Sequence, residues 1–210
     1  MILLALLTAL QSAAPVPGDT VTTLSIVVNL PAFRLDLLDS GRVVARFPVA
    51  IGMPEYPTPT GSYLVGQVEL NPSWIPPASR WATGRRPMPP GPANPMGRAK
   101  LLFLPQYYIH GTPDTASLGS AASHGCVRLR NDDVLEIARR IIAAGPPALA
   151  DSAVTLTGDP VTRRRVVLAR AVPVEVRYDL IELLDGEWVA YPDVYGVRGA
   201  LALPDDQPNP

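Results

Sequence analysis

Short runs of apolar and polar positions set the pattern of this chain. Leu24 to Leu30 is an apolar run rich in Val and Ile, and predicts a strand. Phe33-Arg34-Leu35-Asp36-Leu37 alternates and predicts a half-buried strand, and Asp39-Ser40-Gly41 supplies the turn into a third strand from Val43 to Ile51. Together these predict an antiparallel meander. Ser62 to Leu70, Lys100 to Leu104 and Tyr107 to His110 predict further strands, with a loop from Gly111 to Gly125. One segment has helical spacing: Val134, Leu135, Ile137, Ala138, Ile141 and Ile142 share a face. Asn131 is placed to cap it, Asp132 and Asp133 suit its positive end, and Gly145-Pro146-Pro147 stops it. Ala153 to Thr157 predicts a closing strand. Beyond residue 158 the alternation continues to about 205, with a hairpin signal at Asp185-Gly186, and predicts a β-rich C-terminal extension; 206–210 read as a tail.

Residues 71–97 break the pattern. They hold Pro72, Pro76, Pro77, Pro87, Pro89, Pro90, Pro92 and Pro95, which neither a core strand nor a helix tolerates. Trp74 and Trp81 argue that this long loop packs against something, and a flap over a substrate is the expected role. The other end of the chain carries a different signal. A short apolar run followed by Ser12-Ala13-Ala14 reads as a secretory signal over 1–14, too short for a membrane span, and predicts export. The formal net charge of -1 gives no reason to expect nucleic acid as a partner.

Export sharpens the meaning of the single cysteine, which cannot form an intramolecular disulfide. A buried inert thiol is the bland explanation. Against it, both histidines of the chain fall within the stretch from His110 to Cys126. The local text is Ile109-His110-Gly111-Thr112 and Ser123-His124-Gly125-Cys126-Val127-Arg128. Such a cluster suits nucleophilic catalysis, in which an imidazole takes the proton of a thiol. A third group must orient that imidazole; Asp114 is near in sequence, and a backbone carbonyl would also serve. Gly125 allows a tight turn that exposes the sulfur, and the amides of Gly125 and Cys126 are candidates for an oxyanion site. Arg128 lies on the same side as Cys126 if the segment is extended, where it can bind a carboxylate. The alternative is a metal held by His110, His124 and Cys126, although no usual zinc spacing is present. No serine stands in a nucleophile elbow, and no phosphate-binding glycine loop occurs.

These motifs resemble those of the L,D-transpeptidase catalytic domain, the YkuD-like family. Ser123-His124-Gly125-Cys126-Val127-Arg128 with Asn131-Asp132-Asp133-Val134 carries the resemblance, as do Ile109-His110-Gly111-Thr112, Phe47 to Gly52, Thr58 to Gly61 and Pro89 to Gly97. It covers roughly residues 22–157, and the text around Tyr191 to Gly196 is similar to an extension in the periplasmic branch. The resemblance implies a mainly β domain, sandwich-like or barrel-like, with one or two short helices. It implies that Cys126 is the nucleophile and His110 the base, oriented by the Gly111 carbonyl. His124, Gly125 and the Cys126 amide would lie on the oxyanion side, and Ser123, Thr112 and Arg128 would meet the substrate. By the same resemblance the expected substrates are peptidoglycan stem peptides in the periplasm or cell wall. A wall-anchored lipoprotein is a further acceptor, carbapenems are covalent inhibitors, and no cofactor or metal is implied. A carboxypeptidase or hydrolase using the same thiol, and an inactive wall-binding module, are the competing expectations.

Overall fold

The computed structural model describes residues 23–146 and 152–197; the expected signal segment and the tail fall outside them. Strands β1 (Leu24–Asn29), β2 (Arg34–Asp39) and β3 (Arg42–Pro48) form the antiparallel meander. The run expected to continue to Ile51 breaks at Val49, because β4 (Ile51–Gly52) leaves to pair in parallel with β8 (Ala121–Ser123). Next come β5 (Gly61–Leu70), β6 (Ala99–Leu104), β7 (Tyr107–Thr112) and β9 (Val127–Arg130). The helices are α1 (Asn131–Ala143) and α2 (Ala153–Gly158), followed by β10 (Arg164–Arg177), β11 (Ile181–Leu184) and β12 (Glu187–Ala190).

Eight strands make one sheet in the order β3-β2-β1-β10-β5-β6-β7-β9. It curls into a barrel-like, mainly β fold around a single core. Ile26, Val28, Leu35, Leu37, Val65, Val68, Leu101, Ile109, Val127 and Leu129 are buried in that core, and α1 adds Val134, Ile137, Ala138, Ile141 and Ile142. Each strand contributes alternate residues, so the other face of β6, β7 and β9 is left for polar side chains.

Three further expectations change. Ala153 to Thr157 is helix rather than strand: packing on α1 buries Ala153 and Thr157, and the Thr157 hydroxyl donates to the Ala153 carbonyl at 2.8 Å. Tertiary contact overrides the β preference of Val and Thr here. The first strand of the supposed C-terminal extension is an interior strand of the main sheet, parallel to β1 and antiparallel to β5. Its interior position explains why Val166, Val172, Val174 and Val176 are buried. Finally, Asn131 opens α1 without capping it; its Oδ1 accepts the Arg98 N–H at 2.9 Å.

Candidate active site

Parallel strands need a crossover, and the one from β7 to β9 builds the site. The chain leaves β7 at Thr112 and returns so that Ile109 pairs with Val127 and His110 with Arg128. Cys126, one residue before Val127, therefore arrives beside Tyr108. The Tyr108 N–H donates to its sulfur, and Sγ also lies 3.8 Å from the Gln106 carbonyl. Strand alternation sends Ile109, Val127 and Leu129 into the core, and Tyr108, His110, Cys126 and Arg128 to the opposite face.

His110 is only 4% exposed, and its Nδ1 lies 2.6 Å from the Gly111 carbonyl. Nδ1 therefore carries a proton that it donates to this oxygen, and Nε2 is left as the basic nitrogen. The orienting group is thus a backbone carbonyl, not Asp114, whose charge acts instead on Arg128. Gly111 is required by space: a Cβ there would lie 2.3 Å from Asn131 Oδ1 and 3.0 Å from Val134 Cγ1.

The turn carrying the thiol is pinned from within. Gly125 has φ +104, in the left-handed region, and a Cβ there would meet the Tyr107 ring at 2.6 Å. Ser123 and Thr112, expected to contact substrate, turn their hydroxyls inward. Ser123, 1% exposed, donates to the Cys126 carbonyl at 2.6 Å and accepts the Gly125 N–H at 3.0 Å. Thr112 is buried and accepts the Asp114 N–H at 3.1 Å. The Gly125 amide is thereby taken, which corrects the expectation that it faces an oxyanion.

His124 is half-buried between aromatic rings. Trp81, from the proline-rich loop, stacks on it at 3.9 Å and 17°, and Tyr56 tilts against it at 4.9 Å. The flap expectation thus acquires a contact. The Trp81 side chain sits on a 3-10 turn, Arg80–Ala82, inside a loop braced by the Trp74–Met88 bridge and by Asn94, whose amide donates to the carbonyls of Pro72, Met88 and Pro89.

Electrostatics follow from the register. Glu69, Lys100, His110 and Arg128 stand in one row across β5, β6, β7 and β9. Glu69 is buried between Lys100 (3.1 Å) and Arg163, and Lys100 lies over the Tyr108 ring at 4.9 Å. Burial pushes the Cys126 thiol up from its ordinary value; the Tyr108 N–H and the charges of Arg128 and Lys100 oppose this. Burial holds His110 down at about 4, against the pull of the Gly111 carbonyl and with help from Arg128 and Lys100. His124 is also lowered, by burial and then by Arg128 and Arg85. At neutral pH the resting pair is therefore a thiol and a neutral imidazole. Among the described residues no group of three or more His, Cys, Asp or Glu side chains gathers to hold a metal.

The family model for the L,D-transpeptidase catalytic domain, YkuD, matches residues 24–162, well over half of the chain. The chain belongs to this family. Among its relatives, "Probable L,D-transpeptidase YbiS" of Escherichia coli (strain K12) is 33% identical over 144 residues, 64% of this chain and 47% of the relative. "Probable L,D-transpeptidase ErfK/SrfK" of the same strain is 32% identical over 151 residues, 68% of this chain and 48% of the relative. The chain spans about half the length of these curated relatives. The solved catalytic domain of an E. faecium L,D-transpeptidase matches at a TM-score of 0.48 and 17% identity, over 73% of this chain and 96% of that one. L,D-transpeptidase 3 from Mycobacterium tuberculosis, in complex with a faropenem-derived adduct, matches at 0.47 and 19%, over 74% of this chain and 60% of that one.

Several residues that shape the site escape sequence reasoning. Tyr56, Tyr107, Tyr108, Lys100 and Glu69 sit in ordinary strand or turn text, and only the fold brings them to the thiol.

Proposed function

We propose that Cys126 forms a thioester with the acyl group of a peptidoglycan tetrapeptide stem and passes it to an amine. The observation that carries this reading is the His110 imidazole, held by Nδ1 on the Gly111 carbonyl with Nε2 free to act, on the strand that pairs beside the cysteine.

In the first half-reaction the Cys126 thiol gives its proton to His110 Nε2 as sulfur bonds to the carbonyl carbon of the third stem residue. A thiol that burial keeps protonated calls for general-base help at the moment of attack rather than a preformed thiolate. The oxyanion would be met by the Cys126 amide, with His124 beside it, and the C–N bond then breaks as D-alanine nitrogen takes the proton from His110. In the second half-reaction an acceptor amine loses a proton to His110 as its nitrogen bonds to the thioester carbon, and the sulfur leaves and is reprotonated. The acceptor is an amine of a second stem or of a wall-anchored lipoprotein. Arg128, half-buried on the face of Cys126, is the residue for a substrate carboxylate. Trp81 closes over His124 and restricts water. Carbapenems would acylate the same sulfur, and the site of action is the periplasm or cell wall.

Mass spectrometry of the pure protein mixed with a disaccharide-tetrapeptide and a competing amine tests this directly. The expected result is an acyl adduct on Cys126, free D-alanine and an amide product, all lost in Cys126→Ala. Free tripeptide as the sole product would make the enzyme a carboxypeptidase. An unmodified, folded protein would leave a wall-binding module.

A further inference from the structure

The family match ends at residue 162, yet a residue well beyond it reaches back to the turn that carries the thiol. After β12 the chain folds over the end of β10: Tyr191 N–H donates to the Leu180 carbonyl at 2.8 Å. The Tyr178 hydroxyl donates to Asp193 Oδ1 and accepts the Tyr195 N–H, both at 2.6 Å, and the two tyrosine rings stack at 5.3 Å. This latch fixes the direction of the Tyr195 side chain. Its hydroxyl donates to the Gly52 carbonyl at 2.9 Å and accepts the Thr58 N–H at 3.2 Å. One phenol thus closes the loop 52–58 at both ends. Thr58 Oγ1 reinforces the closure by accepting the Gly52 N–H at 2.9 Å.

That loop is the outer wall of the thiol turn. Gly52 pairs with Ser123, and Met53 N–H donates to the Ser123 carbonyl at 2.9 Å. A Cβ on Gly52 would fall 3.0 Å from Gly125 Cα and 2.1 Å from the Tyr56 carbonyl, so the two backbones are already in contact. The Tyr56 ring lies on His124. Three successive residues before Cys126 are therefore each touched by a loop whose ends Tyr195 holds. Close-packed backbone transmits a displacement instead of absorbing it.

We propose that Tyr195 is a positioning residue for the Cys126 turn, acting through Gly52 and Thr58. The proposal deepens the transpeptidase reading and rests on it only for its kinetic consequence. Tyr195→Phe keeps the ring and its stacking and removes only the hydroxyl. Hydrogen–deuterium exchange, the pH profile of iodoacetamide alkylation and the rate of carbapenem acylation are compared between this variant and the wild type, with Tyr178→Phe as a second variant that loosens the latch from its other end. The expected result is faster exchange in residues 121–127 with α1 unchanged, a shifted alkylation profile, and carbapenem acylation slowed about tenfold, because misplacing reacting groups by a fraction of an ångström is costly. Exchange that quickens only within 52–58 and 178–197, with alkylation unchanged, would overturn the proposal, as would wild-type behaviour of both variants. If the wild-type protein fails to react with carbapenem, the transpeptidase reading falls, and exchange and alkylation still decide the role of Tyr195. Should Tyr195→Phe not fold, the same comparisons on Tyr178→Phe decide it.

Discussion

His110 ties the chemistry of the site to the acid stability of the fold. Its imidazole is buried and neutral, with a value held down to about 4 from the ordinary 6.5. Between these values the unfolded chain binds a proton that the folded one refuses, so stability falls as pH drops below 6.5 and the loss levels off below 4. The linkage relation gives a loss of about 1 kcal/mol at pH 5.5, rising to about 3 kcal/mol at the acid limit. Carboxylates held low in the fold, such as Glu69 and Glu182, add a loss of the same sign, so the wild type alone cannot isolate the histidine. The comparison is with His110→Gln, which keeps a polar group in place and removes the titration. Urea unfolding at pH 7.5, 5.5 and 4.5 gives the stability of each. The variant is less stable at pH 7.5, and the gap narrows by the amounts above as pH falls. A gap that stays constant across this range would refute both the neutral buried imidazole and the general-base role built on it.

Other variants separate the parts of the site. Gly125→Ala forces a Cβ against the Tyr107 ring at 2.6 Å in a left-handed conformation, at a cost of about 1–3 kcal/mol, and carbapenem acylation followed by mass spectrometry is expected to slow about a hundredfold. Lys100→Met removes one of the charges that favour the thiolate, so the midpoint of iodoacetamide alkylation against pH moves up, while Lys100→Arg leaves it near the wild type. Asn131→Ala strips the Arg98 N–H of its acceptor and is expected to lower urea stability by about 1–3 kcal/mol. Trp81→Ala removes the ring stacked on His124, and a rise in hydrolysis relative to amine transfer in a product assay is the expected outcome.

The meander, the order of β5 to β7 and helix α1 were readable because alternation and helical spacing are local signals. Cys126 and His110 drew attention for a different reason: a chain with one Cys and two His makes their clustering conspicuous. What the sequence hid depends on partners far away in the chain. Helix α2 has the residues of a strand, and only the surface of α1 decides otherwise. Ser123 and Thr112 look like substrate contacts in a motif, yet a hydroxyl next to a tight turn first satisfies the backbone of that turn. Glu69 and Lys100 are unremarkable strand charges until the register lines them up with His110 and Arg128.

The interior place of β10 has a consequence for how the molecule comes into being. β1 has only β2 and β10 beside it, and β5 only β10 and β6. A nascent or truncated chain ending near residue 162 would therefore own two half-sheets with bare facing edges, joined in the hydrogen-bond ladder only at their far side, by the Ala50–Arg128 bridge and the β4–β8 pair. Such edges invite pairing with other chains. The gap between the halves is closed only by the last long strand, so the sheet that carries Cys126 is completed by residues beyond the end of the family match.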